Sequence, residues 1–588
     1  MPQRTHTCGE LRKEHIGDEV ILEGWVAHRR DHGGVVFIDL RDRYGLTQVV
    51  FRPDRHPEAH RLADGLRSEH VIRVSGKVEP RLEGQENPKL VTGEIEIDGE
   101  TLEVLNTAEP PPFDLDEFET QTGEAVRLRL RYLDLRRPRM QRNIAMRHRM
   151  WKEIRDFYDE QGFLEIETPF LTKSTPEGAR DYLVPSRIEP GHFYALPQSP
   201  QLFKQILMVS GFDKYFQIVR CFRDEDTRAN RQPEFTQLDV EMSFADEDDV
   251  IDNAERLLAR LFAKLLKREL TLPLVRVPYA EAMSRYGTDK PDVRFAMELT
   301  DVSDLAAESE FKVFRSVVEA HGQVVGLCAP GAAKLSRREI DELTPVVTAF
   351  GAKGLAWFKV EDGKLVSQLA KFFPESLQKG IIERTGASAG DLLLFVADQP
   401  DVAAKAMGEL RLTLGARLDL IDTTDFKPLW VTDYPLFFWN DQEQRHDSPH
   451  HPFTSPRPED EPLLETEALK VTSRAYDLVL NGEEIAGGSI RIHRPALQRK
   501  VFDLLKISPE EAEQRFGFFL RALSYGAPPH GGIAWGLERT LMLFLGEQSL
   551  REVIPFPKTQ RGQCLLTGAP SDVDAKQLRE LGLELAEE

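Results

Sequence analysis

Residues 221–241 read CFRDEDTRANRQPEFTQLDVE, with arginines and carboxylates crowded between apolar runs at 215–219 and 238–244. Such a stretch is either a charged hairpin loop or a ligand loop, in which arginine holds an anion while the carboxylates grip a cation. Further on, YDLVLNGEE spaces Asp477 and Glu484 seven apart. They are oxygen ligands suited to Mg2+, a hard cation, although an isolated pair of this kind is more often solvated surface charge. The adjacent His450 and His451 in HHPFTSP can serve a ligand or a structural hydrogen bond. A fourth grouping, RLRLRYLDLRRPRMQRNIAMRHR (127–149), holds nine arginines and one acid, Asp134. It reads as a solvated helix face, because Ile144, Trp151, Ile154 and Tyr158 recur at helical spacing, or as a belt that tracks a phosphate backbone.

These groups need a scaffold of several domains. A chain of 588 residues exceeds one core and suggests roughly three or four. Hydrophobic residues at 41 % and charged ones at 30 % are ordinary for a globular protein. A net charge of −22 argues against general affinity for nucleic acid but leaves local basic patches open. The N-terminus lacks an apolar targeting stretch, and no run approaches a membrane span. Four scattered cysteines without a CxxC pair argue against a disulfide framework or a cysteine zinc site and fit a reducing cytoplasm.

Five short strands fill the first hundred residues: EVILEGWVAHRR, GVVFIDLRD, LTQVVFRP, HVIRVSGKVEP and EIEIDGETLEVL. That number in that length suits a small closed barrel of the OB type. NTAEPPPFDLDEF reads as an extended linker. An amphipathic helix over about 141–161 leads through Gly162 into FLEIETPFL, where Pro169 marks a strand edge or end. Residues from about 287 to 420 form a compact αβ segment, with helix-like SRREIDELTPVVTAFG and QPDVAAKAMGELRLTLG and strand-like GLAWFKVE and DLLLFVAD. Strand-rich, charge-punctuated sequence returns to about 560, and a loosely attached tail follows.

Three stretches, in order, resemble the motifs of class II aminoacyl-tRNA synthetases. GFLEIETPFLTKSTPEGARDYLVP resembles motif 1, FRDE with FTQLD motif 2, and GGIAWGLERTLMLFLG motif 3. STPEGARDYLVP, ALPQSPQLFKQ, HHPFTSP, NGEEIAGGSIRIH and YGAPPHGGIAWGLER narrow the likeness to the bacterial aspartyl-tRNA synthetases across nearly the whole chain. HIGD (15–18) and KLSRR (334–338) look like class I signatures but lie in the wrong context, since HIGD precedes a strand rather than opening a helix.

The resemblance implies an α+β multidomain chain: an OB-fold anticodon-binding barrel (1–106), a linker (107–125) and a catalytic domain with an antiparallel sheet (126–286 and 423–560). That domain is interrupted by an inserted α/β domain (287–422) and followed by a C-terminal extension (561–588). It implies that Arg223 contacts the α-phosphate of ATP and Arg539 the γ-phosphate, both catalytic. Phe235 stacks on adenine, and Asp224, Glu225, Gln232, Glu484, Gly536, Leu537 and Glu538 complete the nucleotide site. Asp477 and Glu484 carry Mg2+. For L-aspartate, Arg491 and Lys204 receive the side-chain carboxylate, with His450 or His451 and Ser199 beside them, while Glu177, Gln201 and Asp239 hold the ammonium. In the barrel, Phe37 stacks on an anticodon base and Gln48 reads a base edge, with Arg30 and His32 nearby.

Two departures from the family pattern stand out. Motif 3 carries GLER where GLDR is usual, which keeps the acid. His32 occupies a position where members strict for tRNA(Asp) often carry leucine, and so resembles enzymes that also charge tRNA(Asn). The implied partners are ATP, aspartate, tRNA(Asp), tRNA(Asn) and a second copy of the chain, with no membrane. Asparaginyl-tRNA synthetase and a tRNA-independent relative are the nearest alternatives; a neutral asparagine disfavours a pocket with two cations, and the tRNA-independent enzyme should lack the barrel. A non-catalytic RNA-binding paralogue is disfavoured by intact Arg223, Arg539 and Glu484.

Overall fold

The structure is a computed structural model and describes residues 4–116, 118, 120–175 and 178–586. Two compact units divide the chain: residues 4–147 with 551–571, and 148–550 with 572–586.

In the first unit, strands β1 (Glu19–His32), β2 (Val35–Asp42), β3 (Gly45–Phe51), β4 (Val71–Pro80) and β5 (Ile95–Asn106) close into a barrel in the order β1-β2-β3-β5-β4. All pairs are antiparallel except β3 with β5. Alternation places Leu22, Ile38, Phe51, Ile72, Val74 and Ile97 in the interior, almost wholly buried, and leaves Arg30, Phe37 and Asp39 on the outer face. The five expected strands are all present.

The arginine-rich stretch divides: helix Pro138–Glu160 forms with Ile154 and Tyr158 buried and Arg142 and Arg149 exposed, while Arg127, Arg131 and Arg137 before it turn inward. Arg131 is buried and donates to the carbonyls of Arg551, Ile554 and Pro555, while Arg131 and Arg137 both grip Asp134. Arg127 binds Glu552 at 2.9 Å. These guanidiniums are turned from solvent, where a buried aspartate, Glu552 and backbone carbonyls answer their charge and donors. The proline-rich segment also packs, burying Phe113 and Leu115, with Asp116 held by Arg41 at 2.5 Å.

The second unit is built on an eight-stranded sheet. Its order is Arg276–Pro278, Pro428–Thr432, Ala475–Leu480, Glu483–Ile490, His530–Gly536, Glu234–Ser243, Lys214–Phe222, Leu164–Glu165. The outermost pair at each end is parallel and the rest antiparallel, the mixed antiparallel sheet expected. Between the first two strands lies a separate five-stranded antiparallel sheet, ordered Leu299–Asp301, Gln323–Ala329, Leu392–Asp398, Ala356–Glu361, Lys364–Val366. Apolar clusters around Leu327 and Leu394 on one face, and around Phe358 and Phe395 on the other, give this insert its own core. The expected helix over SRREIDELTPVVTAFG is two short ones, Arg337–Asp341 and Thr344–Thr348, since Pro345 can begin a helix but not continue one.

Candidate active site

One face of the large sheet is floored by small residues between carboxylates. Register runs Gln217, Asp239, Ala534, Gly487, Asp477 across five strands, and Tyr215, Glu241, Gly532, Ser489, Ala475 in the next row. Directly opposed residues share a face, so Asp239 and Asp477 flank a gap of roughly 14 Å, three strand spacings wide. The glycines keep it open. A Cβ on Gly532 would sit 2.0 Å from Glu241 Oε2, and one on Gly487 would sit 2.6 Å from Asp477 Oδ1 and 3.5 Å from Glu484 Oε1.

At the Asp239 end, helix Gln201–Val209 turns Gln201, Lys204 and Gln205 inward. Lys204 Nζ donates to Asp239 Oδ1 at 2.9 Å and lies 3.3 Å from Glu241 Oε2. Arg491 grips Glu241 through Nε at 2.9 Å and Nη2 at 3.2 Å, and its Nη1 reaches Ser489 and His451, both at 2.7 Å. All four charged side chains are essentially buried. Burial raises the Asp239 carboxyl despite Lys204. Burial would also raise Glu241, but Arg491 and Lys204 outweigh it and hold its carboxyl low. Burial, Arg491 and His450 push His451 well below the ordinary histidine range. Asp239 Oδ2 and Gln201 Nε2, both buried, have no hydrogen-bond partner among the described residues.

The histidine pair splits. His450 Nε2 lies 3.3 Å from Asp477 Oδ1, and its ring meets Tyr434 edge-on, whereas His451 stands against Arg491. Ser199 accepts from the Gln201 backbone N–H. Glu177 lies outside the described residues.

At the other end, Asp477 and Glu484 converge on the space above Gly487. Burial and Asp477 both raise the Glu484 carboxyl. Two hard oxygen donors facing one clear space fit a divalent cation that keeps its other positions for phosphate oxygens and water. Arg539, at the start of helix Leu537–Leu545, donates to the Glu484 carbonyl, and its buried Nε has no hydrogen-bond acceptor among the described residues. Arg223 leaves its buried Nε similarly open, with its guanidinium 5.2 Å from the centre of the half-buried Phe235 ring. Glu225 pairs with Arg231, Asp224 lies beside Arg180, and Gln232 is buried. Leu537 is in the core, and Glu538 turns inward to accept the Thr236 backbone N–H at 2.9 Å, tying the motif 3 helix to the motif 2 strand.

Sequence reasoning missed Glu241, the shared counter-ion of Lys204 and Arg491. Its signal was available: Asp239 and Glu241 are two acids at strand spacing, so they share one face. It also missed Glu483, which receives Asn230 at 3.0 Å and lies 3.9 Å from Arg539.

On the barrel, Arg30 and Phe37 are directly opposed, and Asp39 opposes Gln48. Phe37 is half-exposed rather than a core aromatic, and exposed His32 packs edge-on against it at 5.9 Å.

The family described as tRNA synthetases class II (D, K and N) matches residues 123–560, and an OB-fold nucleic acid binding domain matches residues 20–105. The chain belongs to the class II tRNA synthetases. It is 56 % identical to an Aquifex aeolicus protein named aspartate--tRNA(Asp/Asn) ligase, covering 100 % of this chain and 99 % of the relative. A Moorella thermoacetica protein of the same name is 57 % identical over 99 % of this chain and 96 % of its own. Among solved structures, asparaginyl-tRNA synthetase from Pyrococcus horikoshii with asparaginyl-adenylate shares the fold at TM-score 0.60 and 19 % identity, covering 95 % of this chain and 99 % of that one. Aspartyl tRNA synthetase from Entamoeba histolytica does so at 0.57 and 18 %, covering 94 % and 90 %. Among the described residues no helix of this synthetase is long and apolar enough to cross a membrane.

Proposed function

We propose that this synthetase joins L-aspartate to tRNA(Asp) and tRNA(Asn) through an aspartyl-adenylate made from ATP. The reading rests on unmet hydrogen-bonding capacity at the motif residues: among the described residues, Asp239 Oδ2, Gln201 Nε2, Arg223 Nε and Arg539 Nε are buried without a hydrogen-bond partner. Buried polar atoms are almost always paired, so a cluster left bare marks where a ligand completes them.

Asp239 Oδ2 receives the ammonium of the amino acid. Gln201, whose amide oxygen can accept and whose buried Nε2 has no partner among the described residues, holds the ammonium beside it. Lys204 and Arg491 give the pocket its preference for a side-chain carboxylate. Asparagine would turn an N–H2 toward donors, and an unpaired donor facing donors is strongly rejected. An α-carboxylate oxygen then bonds to the α-phosphorus of ATP as the bond to pyrophosphate breaks. Arg223 stabilises the charge that develops on the α-phosphate oxygens, and Arg539 holds the far end of the triphosphate. When bound at Asp477 and Glu484, Mg2+ neutralises phosphate charge. In the second step a ribose hydroxyl of tRNA attacks the acyl carbon and AMP leaves, while the barrel binds the anticodon through Phe37 and Gln48.

A homodimer is part of the reading. The large sheet ends in the two-residue strand Leu164–Glu165, and Leu164, Phe170 and Leu171 nearby are 45 to 54 % exposed. An open sheet edge flanked by apolar side chains favours a second copy. The cytoplasm is the expected compartment of such an enzyme. The test is ATP–pyrophosphate exchange with aspartate and asparagine, followed by charging of separate tRNA(Asp) and tRNA(Asn) transcripts. Exchange that is equal with asparagine, or absent with aspartate, refutes the substrate; failure to charge tRNA(Asn) refutes the double specificity.

A further inference from the structure

Gln48 is held at both ends. Its Nε2 donates to Glu96 Oε2 at 2.9 Å, and its Oε1 accepts from Arg30 Nη2 at 3.4 Å. Glu96 can only accept and Arg30 can only donate, so turning the amide over would set oxygen against oxygen and N–H2 against guanidinium. Behind Glu96 stands Arg52. Its Nη2 donates to Glu96 Oε1 at 2.7 Å and its Nη1 to Asp98 Oδ1 at 2.6 Å, while Arg55 anchors the other oxygen of Asp98 at 2.7 Å. Glu96 and Asp98 are almost wholly buried, and Arg52 is 21 % exposed on its side chain.

We infer that Arg52 is a positioning residue for RNA reading: its fork between Glu96 and Asp98 pins Glu96 against Gln48 and so fixes which end of the Gln48 amide meets a base. This deepens, and rests on, the anticodon role proposed for the barrel. The sense of the amide matters because uracil and cytosine present opposite orders of donor and acceptor on their pairing edges. An amide free to turn over accepts both; one that is pinned distinguishes them.

The experiment uses full-length enzyme with Arg52→Met, Gln48→Ala and the double variant, with KM and kcat measured on tRNA(Asp) transcript alongside aspartate-dependent ATP–pyrophosphate exchange. Gln48→Ala raises KM about tenfold, the scale of one lost base contact. Arg52→Met raises it by a similar factor, leaves kcat and exchange unchanged, and adds nothing in the Gln48→Ala background. The slope of KM against salt stays that of the wild type, because no phosphate contact is removed. Arg52→Lys, which reaches one carboxylate but not both, falls between, and carries the same cycle if Arg52→Met does not fold. An Arg52 effect that persists undiminished without Gln48, or that flattens the salt slope, overturns the inference, as does an unchanged KM in Arg52→Met. If Gln48→Ala itself leaves KM unchanged, the anticodon role has failed first, and the inference with it.

Discussion

Asp134 and Asp239 are both buried at the centre of positive charge, and the protein uses them in opposite ways. Asp134 has both oxygens occupied, Oδ1 by Arg137 at 3.0 Å and Oδ2 by Arg131 at 2.5 Å and Arg127 at 3.4 Å. Asp239 has Lys204 on one oxygen and, among the described residues, no hydrogen-bond partner on the other. A saturated carboxylate can only hold its neighbours in place. One with an open oxygen can receive a ligand's proton donor. Charge and burial therefore do not separate scaffold from site; unspent hydrogen-bonding capacity does.

Breaking the saturated cluster gives the largest expected effect. Asp134→Ala leaves buried guanidiniums without their acceptor and costs about 3–5 kcal/mol of stability, a broken buried pair. Thermal unfolding should show that fall, while exchange activity of the protein that remains folded is retained. Arg223→Ala inverts the outcome: adenylate formation slows by about 10²–10³-fold, as for a lost oxyanion donor, with little change in melting temperature. Near-normal ATP–pyrophosphate exchange in that variant removes Arg223 from the chemistry. Asp239→Asn keeps an oxygen for Lys204 and loses the charge, so it raises the KM for aspartate by about 10- to 100-fold, the value of a charged hydrogen bond. If instead it melts like Asp134→Ala, the distinction between the two aspartates collapses.

Acid offers a smaller test. The folded chain opposes a proton on His451 through burial and Arg491, whereas the unfolded chain takes it near pH 6.5. The unfolded state then binds more protons, so this contribution is intact above that pH and lost as pH falls below it. His451→Asn has no proton to refuse and should flatten that part of a stability profile; an unaltered profile means the ring is not opposed. The smallest effect belongs to His32→Leu. Charging of tRNA(Asn) relative to tRNA(Asp) should fall by roughly fivefold, about 1 kcal/mol, at moderate salt. An unchanged ratio leaves His32 as a loop residue.

Much of this was legible because it is local. Alternation in EVILEGWVAHRR and its successors specified five barrel strands, whose observed ends lie within two residues of the quoted stretches at most positions. Of the motif residues, Lys204 does meet Asp239, and Arg223 lies over the Phe235 ring. What stayed hidden depends on partners far along the chain. Glu241 acquires its meaning from Arg491, 250 residues later. The Glu538 carboxylate accepts from the Thr236 amide, 302 residues away, a bond no local pattern announces. Gly532 and Gly487 carry no such signal either: each lies in a strand where an added Cβ would crowd a carboxylate, Glu241 and Asp477 respectively.

The pairing of strand Glu234–Ser243 with His530–Gly536 has a consequence for how the protein is made. Residues 238 and 535 meet across that seam, so nearly three hundred residues must leave the ribosome before it can close. Until then the nascent chain carries a long strand with one bare edge, and Lys204, Asp239 and Glu241 without Arg491. Distant pairings of this kind are slow to form and prone to misassociation. The intervening insert has its own core and can fold while synthesis continues, shortening the open loop that remains to be closed. Binding of amino acid thus arrives late in synthesis: a chain arrested before residue 475 should hold a folded barrel and a folded insert but no aspartate.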